Sequence, residues 1–269
     1  MSHAPKSIKE NYEEVIPSVY AMVPNELYHS IDGISSSNIK ELGKSIAHYH
    51  YSKEHQKKQT DAMLKGSAFH DMVLLPDVYE ATYMMGPTIT KTSKKYKQCV
   101  LDNPHKTVLP PRMIDDLEYM RDALYKNPSI REILESDTIL REVSIWGKDS
   151  TTGLLCKCRP DIIANGIVYD VKTTVVPHCF LNAVKDFKYH VSSEHYLNVC
   201  RGIGMTATDF QFLAVGSKPP YLTGIYRLPD DFIAAGKEYC RRSLDRYANY
   251  MLSDDDWDGL PQGREVVTL

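Results

Sequence analysis

The first half of the chain carries apolar residues at helical spacing, interrupted by polar segments. Residues 1–26 are broken by prolines and predict a loosely attached lead-in. Serines before Ile39 suit a helix N-cap, so the pattern predicts a helix from Ile39 to about Lys53. Two further helices are predicted at Ala62–Leu75 and Arg112–Tyr125, and a proline follows each of them closely. Between these two helices, residues 86–111 are polar and lack periodicity, which predicts an irregular segment.

From Ile139 onward, apolar residues recur at every second position, which is typical of strands. In chain order, the predicted elements are three strands at Ile139–Trp146, Leu154–Ile163 and Ile167–Thr173, a helical region at Pro177–Arg201, strands at Phe210–Val215 and Tyr221–Arg227, and a helix at Asp230–Leu252. Three consecutive strands flanked by helices predict an α/β fold with a mixed central sheet and a three-strand meander. We expect one domain over 27–252, followed by a polar tail at 253–269.

The composition is that of a soluble globular protein. Of the 269 residues, 42% are hydrophobic and 25% are charged, and no apolar run approaches the roughly 20 residues of a membrane-spanning helix. The N-terminus lacks the apolar segment of a secretory signal, so we expect a cytoplasmic protein. The six cysteines include no C-x-x-C pair, which argues against an iron–sulfur cluster or a structural zinc site. With a net charge of −3, contact with a nucleic acid would require a local basic surface.

The segment around Asn165-Gly166 places two acidic residues opposite each other. With Asn165-Gly166 as a two-residue turn, counting outward along both strands sets Asp161 opposite Asp170. Strand alternation puts Lys172 on the same face as Asp170. Two directly opposed carboxylates repel each other, and a divalent cation such as Mg²⁺ or Mn²⁺ would remove the conflict. The competing explanation is a salt-bridged hairpin in which Lys172 and Arg159 neutralise the two aspartates.

Neighbouring positions extend this candidate centre. Lys172 is placed to orient or polarise an attacking water, and the Val171 carbonyl beside it offers a further oxygen ligand. On the preceding strand, Lys157, Arg159 and Asp161 share one face. A charged face on a strand that should be mostly buried indicates a functional surface.

These residues match a known motif. Pro160-Asp161 followed by Asp170-Val171-Lys172 resembles the PD-(D/E)XK nuclease motif. Several strings are similar to RecE-type exonucleases (exonuclease VIII) and their phage relatives, in the RecB-like branch of that superfamily. They are Gly153–Asp161, Tyr169–Thr174, Tyr28-His29-Ser30, Ile34–Ser37 and Gly66–His70. The resemblance extends from about Leu27 to Met251 and implies a PD-(D/E)XK nuclease core.

The resemblance also implies an activity and partners. Such enzymes are Mg²⁺-dependent exonucleases that digest one strand of linear duplex DNA from its 5′ end, leaving a 3′ overhang for single-strand-annealing recombination. They act as rings around DNA with a RecT-like single-strand annealing protein. We therefore expect a ring-shaped homo-oligomer in a bacterial cytoplasm, encoded by a phage or prophage. Mn²⁺ is expected to substitute for Mg²⁺, and no iron–sulfur cluster is expected.

The metal ligands follow from the same resemblance. His70 matches a metal-binding histidine on a helix that precedes the meander. Asp161, Asp170 and the Val171 carbonyl match the remaining ligands, and Lys172 matches the catalytic lysine.

Three further residues are candidates for roles in the active site. Glu142 matches an acidic position on the strand before the aspartates, although a surface charge on an edge strand is the alternative. A later helix in the family carries a glutamine or tyrosine near the active site. The glutamine form is absent here, so Tyr189 and Tyr196 are the candidates.

Serines and basic residues are candidates for contacts with DNA and its 5′-phosphate. They are Ser35, Ser36, Ser37, Lys91, Lys94, Lys95, Lys157 and Arg159. The serines begin a predicted helix, whose N-terminus favours an anion, although helix capping alone also explains them. The first three lysines suit contacts along the duplex, and a solvated charged loop is the alternative.

The sequence is also compatible with other functions. A PD-(D/E)XK endonuclease of the restriction or repair type would use the same residues without requiring a DNA end. A non-catalytic DNA-binding recombination module would keep the fold without hydrolysis. Without the resemblance, a metal-dependent hydrolase of small phosphoesters also fits the residues.

Overall fold

Helices and strands alternate along the chain around two larger sheets. The computed structural model describes residues 6–7, 17–21, 23–55 and 58–253. The strands are β1 (Lys6–Ser7), β2 (Ser18–Ala21), β3 (Tyr83–Met85), β4 (Thr107–Leu109), β5 (Leu140–Arg141), β6 (Ser144–Lys148), β7 (Leu155–Cys158), β8 (Ile162–Ala164), β9 (Ile167–Thr174), β10 (Asp209–Gly216) and β11 (Thr223–Arg227). The helices are α1 (Asn25–Ser30), α2 (Ser36–Leu42), α3 (Ile46–Glu54), α4 (Asp61–Leu74), α5 (Pro76–Thr82), α6 (Lys94–Asp102), α7 (Pro111–Lys126), α8 (Pro128–Leu134), α9 (Phe180–Asp186), α10 (Tyr189–Gly202) and α11 (Asp230–Leu252). A 3₁₀ turn, Pro177–Cys179, precedes α9.

A mixed five-stranded sheet has the order β11-β10-β9-β8-β5. Strands β9 and β10 are parallel, and the other neighbours are antiparallel. Asn165 and Gly166 join β8 to β9 with φ values of 51° and 75°, as a two-residue hairpin turn of this type requires. Ala164 pairs with Ile167 across that turn, which is the predicted register. The predicted α/β fold with a mixed central sheet is confirmed.

The first two strands of the meander are each divided between two sheets. The predicted strand Ile139–Trp146 is β5 and β6, and the predicted strand Leu154–Ile163 is β7 and β8. Strands β6 and β7 belong to a second sheet with the order β1-β2-β6-β7. The division has local causes, since Glu142 has a φ of 48° and Pro160 lacks the N–H that a continuous ladder needs.

Other boundaries also differ from the predictions. The predicted helix at Ile39–Lys53 is two helices, because the Ser45 hydroxyl accepts a hydrogen bond from the His48 N–H and starts α3. Residues 86–111 contain α6 and β4 rather than only irregular chain. The predicted helical region at Pro177–Arg201 is interrupted between α9 and α10.

The predicted lead-in contributes to the fold. Strand β2 pairs with β6, and Val19 and Tyr20 are buried. Of the lead-in, residues 6–7, 17–21 and 23–26 are described. The rest of it and the tail beyond residue 253 lie outside the described residues.

The five-stranded sheet separates two hydrophobic clusters. Val168, Phe210 and Phe212 face the cluster that includes α2, α10 and α11, whereas Val171 and Leu213 face the cluster that includes α4, α7 and α8. This alternation follows the two-residue period of a strand. Within the described ranges, no helix has the length and apolar content to cross a membrane.

Candidate metal centre

One end of the β8–β9 hairpin carries two carboxylates and a lysine. Asp170 lies in β9, and Asp161 lies directly before β8. The Asp161 carboxylate accepts a 2.6 Å hydrogen bond from the Val171 N–H. The Lys172 ammonium lies 2.5 Å from a carboxylate oxygen of Asp170. Both acids are buried, with exposed fractions of 7% and 6%. The hairpin therefore holds these charged groups in one buried cluster.

His70 reaches this cluster from α4. Thr60 caps the helix by accepting a hydrogen bond from the Met63 N–H. Phe69 is fully buried and fixes the rotation of the helix about its axis. The Nδ1 atom of His70 consequently lies 3.4 Å from Oδ2 of Asp161, and the imidazole is half-buried.

Glu142 joins the cluster because the backbone turns at this residue. Its left-handed φ of 48° ends the pairing of β5, and its N–H donates to the Asp161 carbonyl oxygen at 3.1 Å. Such a conformation costs a non-glycine residue about 1 kcal/mol or more, and it occurs often at functional sites. The ligand atoms of His70, Glu142 and Asp161 all lie within 4.8 Å of one another.

Burial makes the negative charges of this cluster costly. Burial raises the pKa of Asp161, with His70 opposing and Asp170 adding to the shift. Burial and then Asp161 raise the pKa of Glu142 to about 8. For Lys172, burial would lower the pKa, but Asp170 and Asp161 outweigh that effect and raise it. The site therefore carries more negative charge than its own cations balance.

The donor set fits a hard divalent cation. Carboxylates are preferred ligands of Mg²⁺ and Mn²⁺, and an imidazole completes the group. His70, Glu142 and Asp161 are the residues that would hold the ion, and a bound ion would favour the ionised form of both acids. The predicted ligand Asp170 lies outside this group and pairs with Lys172, and its role as a metal ligand stays a prediction. The ligand role of the Val171 carbonyl stays a prediction.

The two candidate tyrosines lie on α10 beside the hairpin. The Lys172 ammonium is 5.4 Å from the centre of the Tyr189 ring. Burial and then Asp170 raise the pKa of Tyr196 well above its ordinary value. Tyr189 therefore borders the Asp170–Lys172 pair, and a supporting role for Tyr196 stays a prediction.

The three serines lie at the start of α2. Ser35 is the N-cap, since its hydroxyl accepts a hydrogen bond from the Asn38 N–H and its own N–H donates to the Asn38 side chain. Ser36 is half-buried and Ser37 is exposed. Capping thus accounts for Ser35, and contact of these serines with a 5′-phosphate stays a prediction.

The lysines of the predicted polar segment lie near the other end of α4. The Lys91 ammonium forms a 2.6 Å ion pair with Asp61, while Lys94 and Lys95 are exposed. Asp61 and His70 are about 14 Å apart along the axis of α4, so these lysines lie away from the candidate metal centre. Their contact with DNA stays a prediction.

The structure corrects the role expected of Lys157. This side chain is only 5% exposed, and its ammonium donates to the carbonyl oxygens of Tyr28 and Ile31. The physical reason is that the segment at and after α1 covers the face of β7 that alternation alone left open. Arg159 is half-buried and donates to the Ser144 hydroxyl at 2.9 Å, so its contact with DNA stays a prediction.

Most of the chain is similar to a known protein family. Residues 35–256 match the family described as a PDDEXK-like domain of unknown function (DUF3799). The chain belongs to this family. The resemblance to PD-(D/E)XK nucleases is thereby confirmed, while membership of the RecE-type group stays a prediction. No curated protein sequence matches the chain.

One solved structure has a similar fold over most of the chain. A provisionally assigned exonuclease from Eubacterium rectale superimposes with a TM-score of 0.61 at 13% identity, covering 92% of this chain and 95% of the other. A phage-related exonuclease from Haemophilus somnus 129PT gives a TM-score of 0.33 at 13% identity, covering 82% of this chain and 96% of the other. The first similarity supports the fold, and the second is too low to support an argument.

Two further residues near the candidate metal centre, Asp71 and Lys40, are not among the residues predicted from the sequence. The Asp71 carboxylate accepts a 2.9 Å hydrogen bond from the Tyr83 hydroxyl and contributes to the raised pKa of Glu142. Burial and then Lys172 lower the pKa of Lys40 to about 8. The available signal for Lys40 was its position one turn after Ser36 on the same face of a predicted helix.

Proposed function

We propose that this protein is a divalent-metal-dependent nuclease that removes nucleotides from the 5′ end of one strand of linear duplex DNA and leaves a 3′ overhang. The observation that carries the nuclease assignment is that His70, Glu142 and Asp161 meet the Asp170–Lys172 pair at one hairpin. Membership of the PDDEXK-like family supports the same chemistry. The polarity and the need for an end rest on the resemblance to RecE-type exonucleases.

The ligand residues and the lysine have separate tasks. Bound Mg²⁺ or Mn²⁺ would supply Lewis-acid polarisation and a more acidic water. His70, Glu142 and Asp161 would hold the ion, and the Val171 N–H fixes the direction of the Asp161 carboxylate. Lys172 then orients the water or a phosphate oxygen through its ammonium.

Asp170 determines the protonation of that lysine. Although burial opposes it, the carboxylates of Asp170 and Asp161 raise the pKa of Lys172. The ammonium therefore stays protonated near neutral pH. It stabilises negative charge on the phosphate as a hydrogen-bond donor, and a general-base role for Lys172 is disfavoured.

The proposed assembly follows from the same resemblance. The protein forms a ring-shaped homo-oligomer that encloses the duplex and delivers the 3′ overhang to a single-strand annealing protein of the RecT type. Light scattering of the purified protein tests the ring, because a monomer at micromolar concentration would contradict it.

Digestion of labelled DNA tests the activity. Linear duplex carrying a label at the 5′ or the 3′ end is incubated with Mg²⁺, next to covalently closed circular DNA and an EDTA control. We expect early release of the 5′ label, retention of the 3′ label, and an intact circle. A 5′-hydroxyl end should be digested more slowly than a 5′-phosphate end, because the serines of α2 would lose an anion.

A matched pair of variants ties the activity to the site. Asp170→Asn removes the partner of Lys172 and should abolish digestion. Asp209 lies on the neighbouring strand β10 opposite Ile167, three residues before Asp170 in β9, and its carboxylate pairs with Arg227 at 2.9 Å. Asp209→Asn should therefore leave digestion intact. Full activity of Asp170→Asn would overturn the assignment.

The rival functions give different results in the same assay. An endonuclease nicks the circle. A non-catalytic module binds DNA without releasing either label. A hydrolase of small phosphoesters cleaves a chromogenic ester and leaves the DNA intact.

A further inference from the structure

The junction of α9 and α10 presents an aromatic ring and a cation next to the candidate centre. Lys188 has a left-handed φ of 51°, which separates the two helices. Phe187 before it is 60% exposed, and its ring stacks on Tyr189 with 5.6 Å between the ring centres and 25° between the planes. Tyr189 in turn lies 5.4 Å from the Lys172 ammonium. An exposed ring is thus held close to the Asp170–Lys172 pair.

Lys40 brings a second ammonium to the same ring. Its Nζ lies 5.9 Å from the centre of the Tyr189 ring, and the side chain is half-buried. Burial and then the charge of Lys172 lower the pKa of Lys40 to about 8. Within the described part of the chain, no carboxylate lies within ion-pair distance of Lys40, while Asp170 is engaged by Lys172. The ammonium groups of Lys40 and Lys172 therefore both lie near the Tyr189 ring, 5.9 Å and 5.4 Å from its centre.

Tyr239 on α11 holds Lys188 beside Lys40. The Lys188 ammonium donates to the Tyr239 hydroxyl at 2.9 Å and lies 4.5 Å from the centre of its ring. The same hydroxyl donates to the Lys40 carbonyl oxygen at 3.0 Å. Gly43 permits this contact, because a Cβ atom there would lie 2.2 Å from the Tyr239 ring. The position of Lys188 is therefore built into the packing of α2 against α11.

We infer that Lys40, Lys188 and Phe187 form a nucleotide subsite beside Asp170–Lys172, in which the two ammonium groups bind a backbone phosphate and the Phe187 ring stacks on a base. The inference deepens the proposed function and rests on it. It applies to single-stranded DNA, since only an unpaired base offers a face to the ring.

The chemistry of the three side chains supports a nucleotide over other ligands. Lys172 is already paired with Asp170, whereas no carboxylate of the described residues lies within ion-pair distance of Lys40 or Lys188, so a bound anion would offset their two positive charges. Phosphate contacts position a strand, and aromatic stacking accepts any base. Scattered surface lysines or a single exposed phenylalanine would be ordinary, whereas Lys40 is half-buried and lies near the same Tyr189 ring as Lys172.

Equilibrium binding without metal tests the subsite. Anisotropy of a labelled short oligothymidine is measured in EDTA over a range of salt concentrations, so that no hydrolysis occurs. The double variant Lys40→Gln/Lys188→Gln should bind more weakly and reduce the slope of log K against log salt by about 0.7, the change expected for one lost phosphate contact on a single strand. Phe187→Ala should weaken binding about tenfold and leave the slope unchanged.

Matched variants control for charge and for exposed aromatic area. Lys126→Gln/Lys148→Gln removes two exposed lysines elsewhere and should leave the slope unchanged. Tyr119→Ala removes a 58% exposed ring that stacks on Tyr221 with nearly the same geometry, 5.5 Å and 22°. Lys40→Arg/Lys188→Arg keeps both charges and should keep the wild-type slope. Circular dichroism confirms that each variant folds.

The binding measurements test the nucleotide subsite independently of whether the protein hydrolyses DNA. The inference fails if the wild type does not bind the oligonucleotide, if the lysine double variant keeps the wild-type slope, or if Phe187→Ala behaves like Tyr119→Ala. If instead these variants lose binding as expected but the wild type cleaves no DNA, the subsite stands and the proposed hydrolysis fails.

Discussion

The carboxylate of Asp161 is held at 2.6 Å by the backbone N–H of Val171, the residue between Asp170 and Lys172. This hydrogen bond joins a candidate metal ligand on one strand to the charged pair on the next. His70 and Glu142 approach the same carboxylate from other elements. The site is therefore organised around one side chain that has both a structural and a chemical task.

Replacing Asp161 with asparagine should separate these two tasks. The amide oxygen of Asp161→Asn can still accept from Val171, and the variant removes a buried charge whose pKa is raised by burial. We expect the Tm of the metal-free protein to stay the same or rise. Wild-type protein should gain about 2.7 kcal/mol of stability when Mn²⁺ is present at 100 times its Kd, and the variant should lose that gain. Thermal unfolding with MnCl₂ and with EDTA measures both.

Asp209→Asn is the control for this experiment, because Asp209 lies in the same sheet but pairs with Arg227. It should keep the Mn²⁺-dependent rise in Tm. A full Mn²⁺ response in Asp161→Asn would contradict the assigned ligand set.

Replacing Lys172 with glutamine should remove catalysis without removing the metal site. The ammonium contacts Asp170 and lies outside the group formed by His70, Glu142 and Asp161. We expect Lys172→Gln to lower kcat by a factor of about 10²–10⁴ and to keep the Mn²⁺-dependent rise in Tm.

Lys44→Gln is the matched control for Lys172→Gln, since Lys44 forms an exposed pair with Glu41 at 2.6 Å. Its kcat should equal that of the wild type. Equal losses in the two variants would mean that Lys172 acts only through general charge.

The stability of the fold should fall as the pH drops below about 6.5, the ordinary pKa of histidine. Burial lowers the pKa of His195 to about 4, and its Nε2 lies 3.1 Å from the Lys157 carbonyl oxygen. Between these two pH values the unfolded chain binds a proton that the folded protein excludes, so stability rises with pH. The full effect is roughly 3 kcal/mol.

Urea unfolding from pH 7 to pH 4 measures this dependence. His195→Asn should flatten the slope, whereas His178→Asn, at an exposed position, should not change it. Identical slopes in the wild type and His195→Asn would refute the assignment.

Two glycine-to-alanine changes in helices should have opposite effects on stability. A Cβ at Gly236 in α11 would lie 2.4 Å from the His190 carbonyl oxygen, so Gly236→Ala should destabilise the protein by about 1–3 kcal/mol. A Cβ at Gly66 in α4 would meet only the Thr173 hydroxyl at 3.7 Å, so Gly66→Ala should stabilise it by about 0.5–1 kcal/mol. Thermal unfolding compares them, and the same sign for both would contradict the packing of α10 against α11.

Local signals made much of this fold predictable. The Asn165-Gly166 turn fixed the register of β8 and β9, and the long apolar stripe of α11 gave its observed limits, Asp230–Leu252. The approach of Asp161 to the Asp170–Lys172 pair follows from that register alone.

The features that could not be predicted from the sequence depend mostly on contacts between residues far apart in the chain. Lys157 alternates onto a charged face, yet its burial depends on a segment more than a hundred residues earlier. The split of the meander at Glu142 needed a backbone conformation that no residue type signals reliably. Lys40 reaches the Tyr189 ring only because α2 packs on α10 and α11.

The two-residue connection at Asn165-Gly166 restricts which sequence changes this hairpin can accept during evolution. Strand faces alternate, so a single-residue insertion or deletion between Asp161 and Asp170 would turn every side chain beyond it to the opposite hydrophobic cluster. A substitution within the same span changes one contact only. The length of the hairpin is therefore under stricter constraint than its composition, and tolerated indels should accumulate in other connections of the chain.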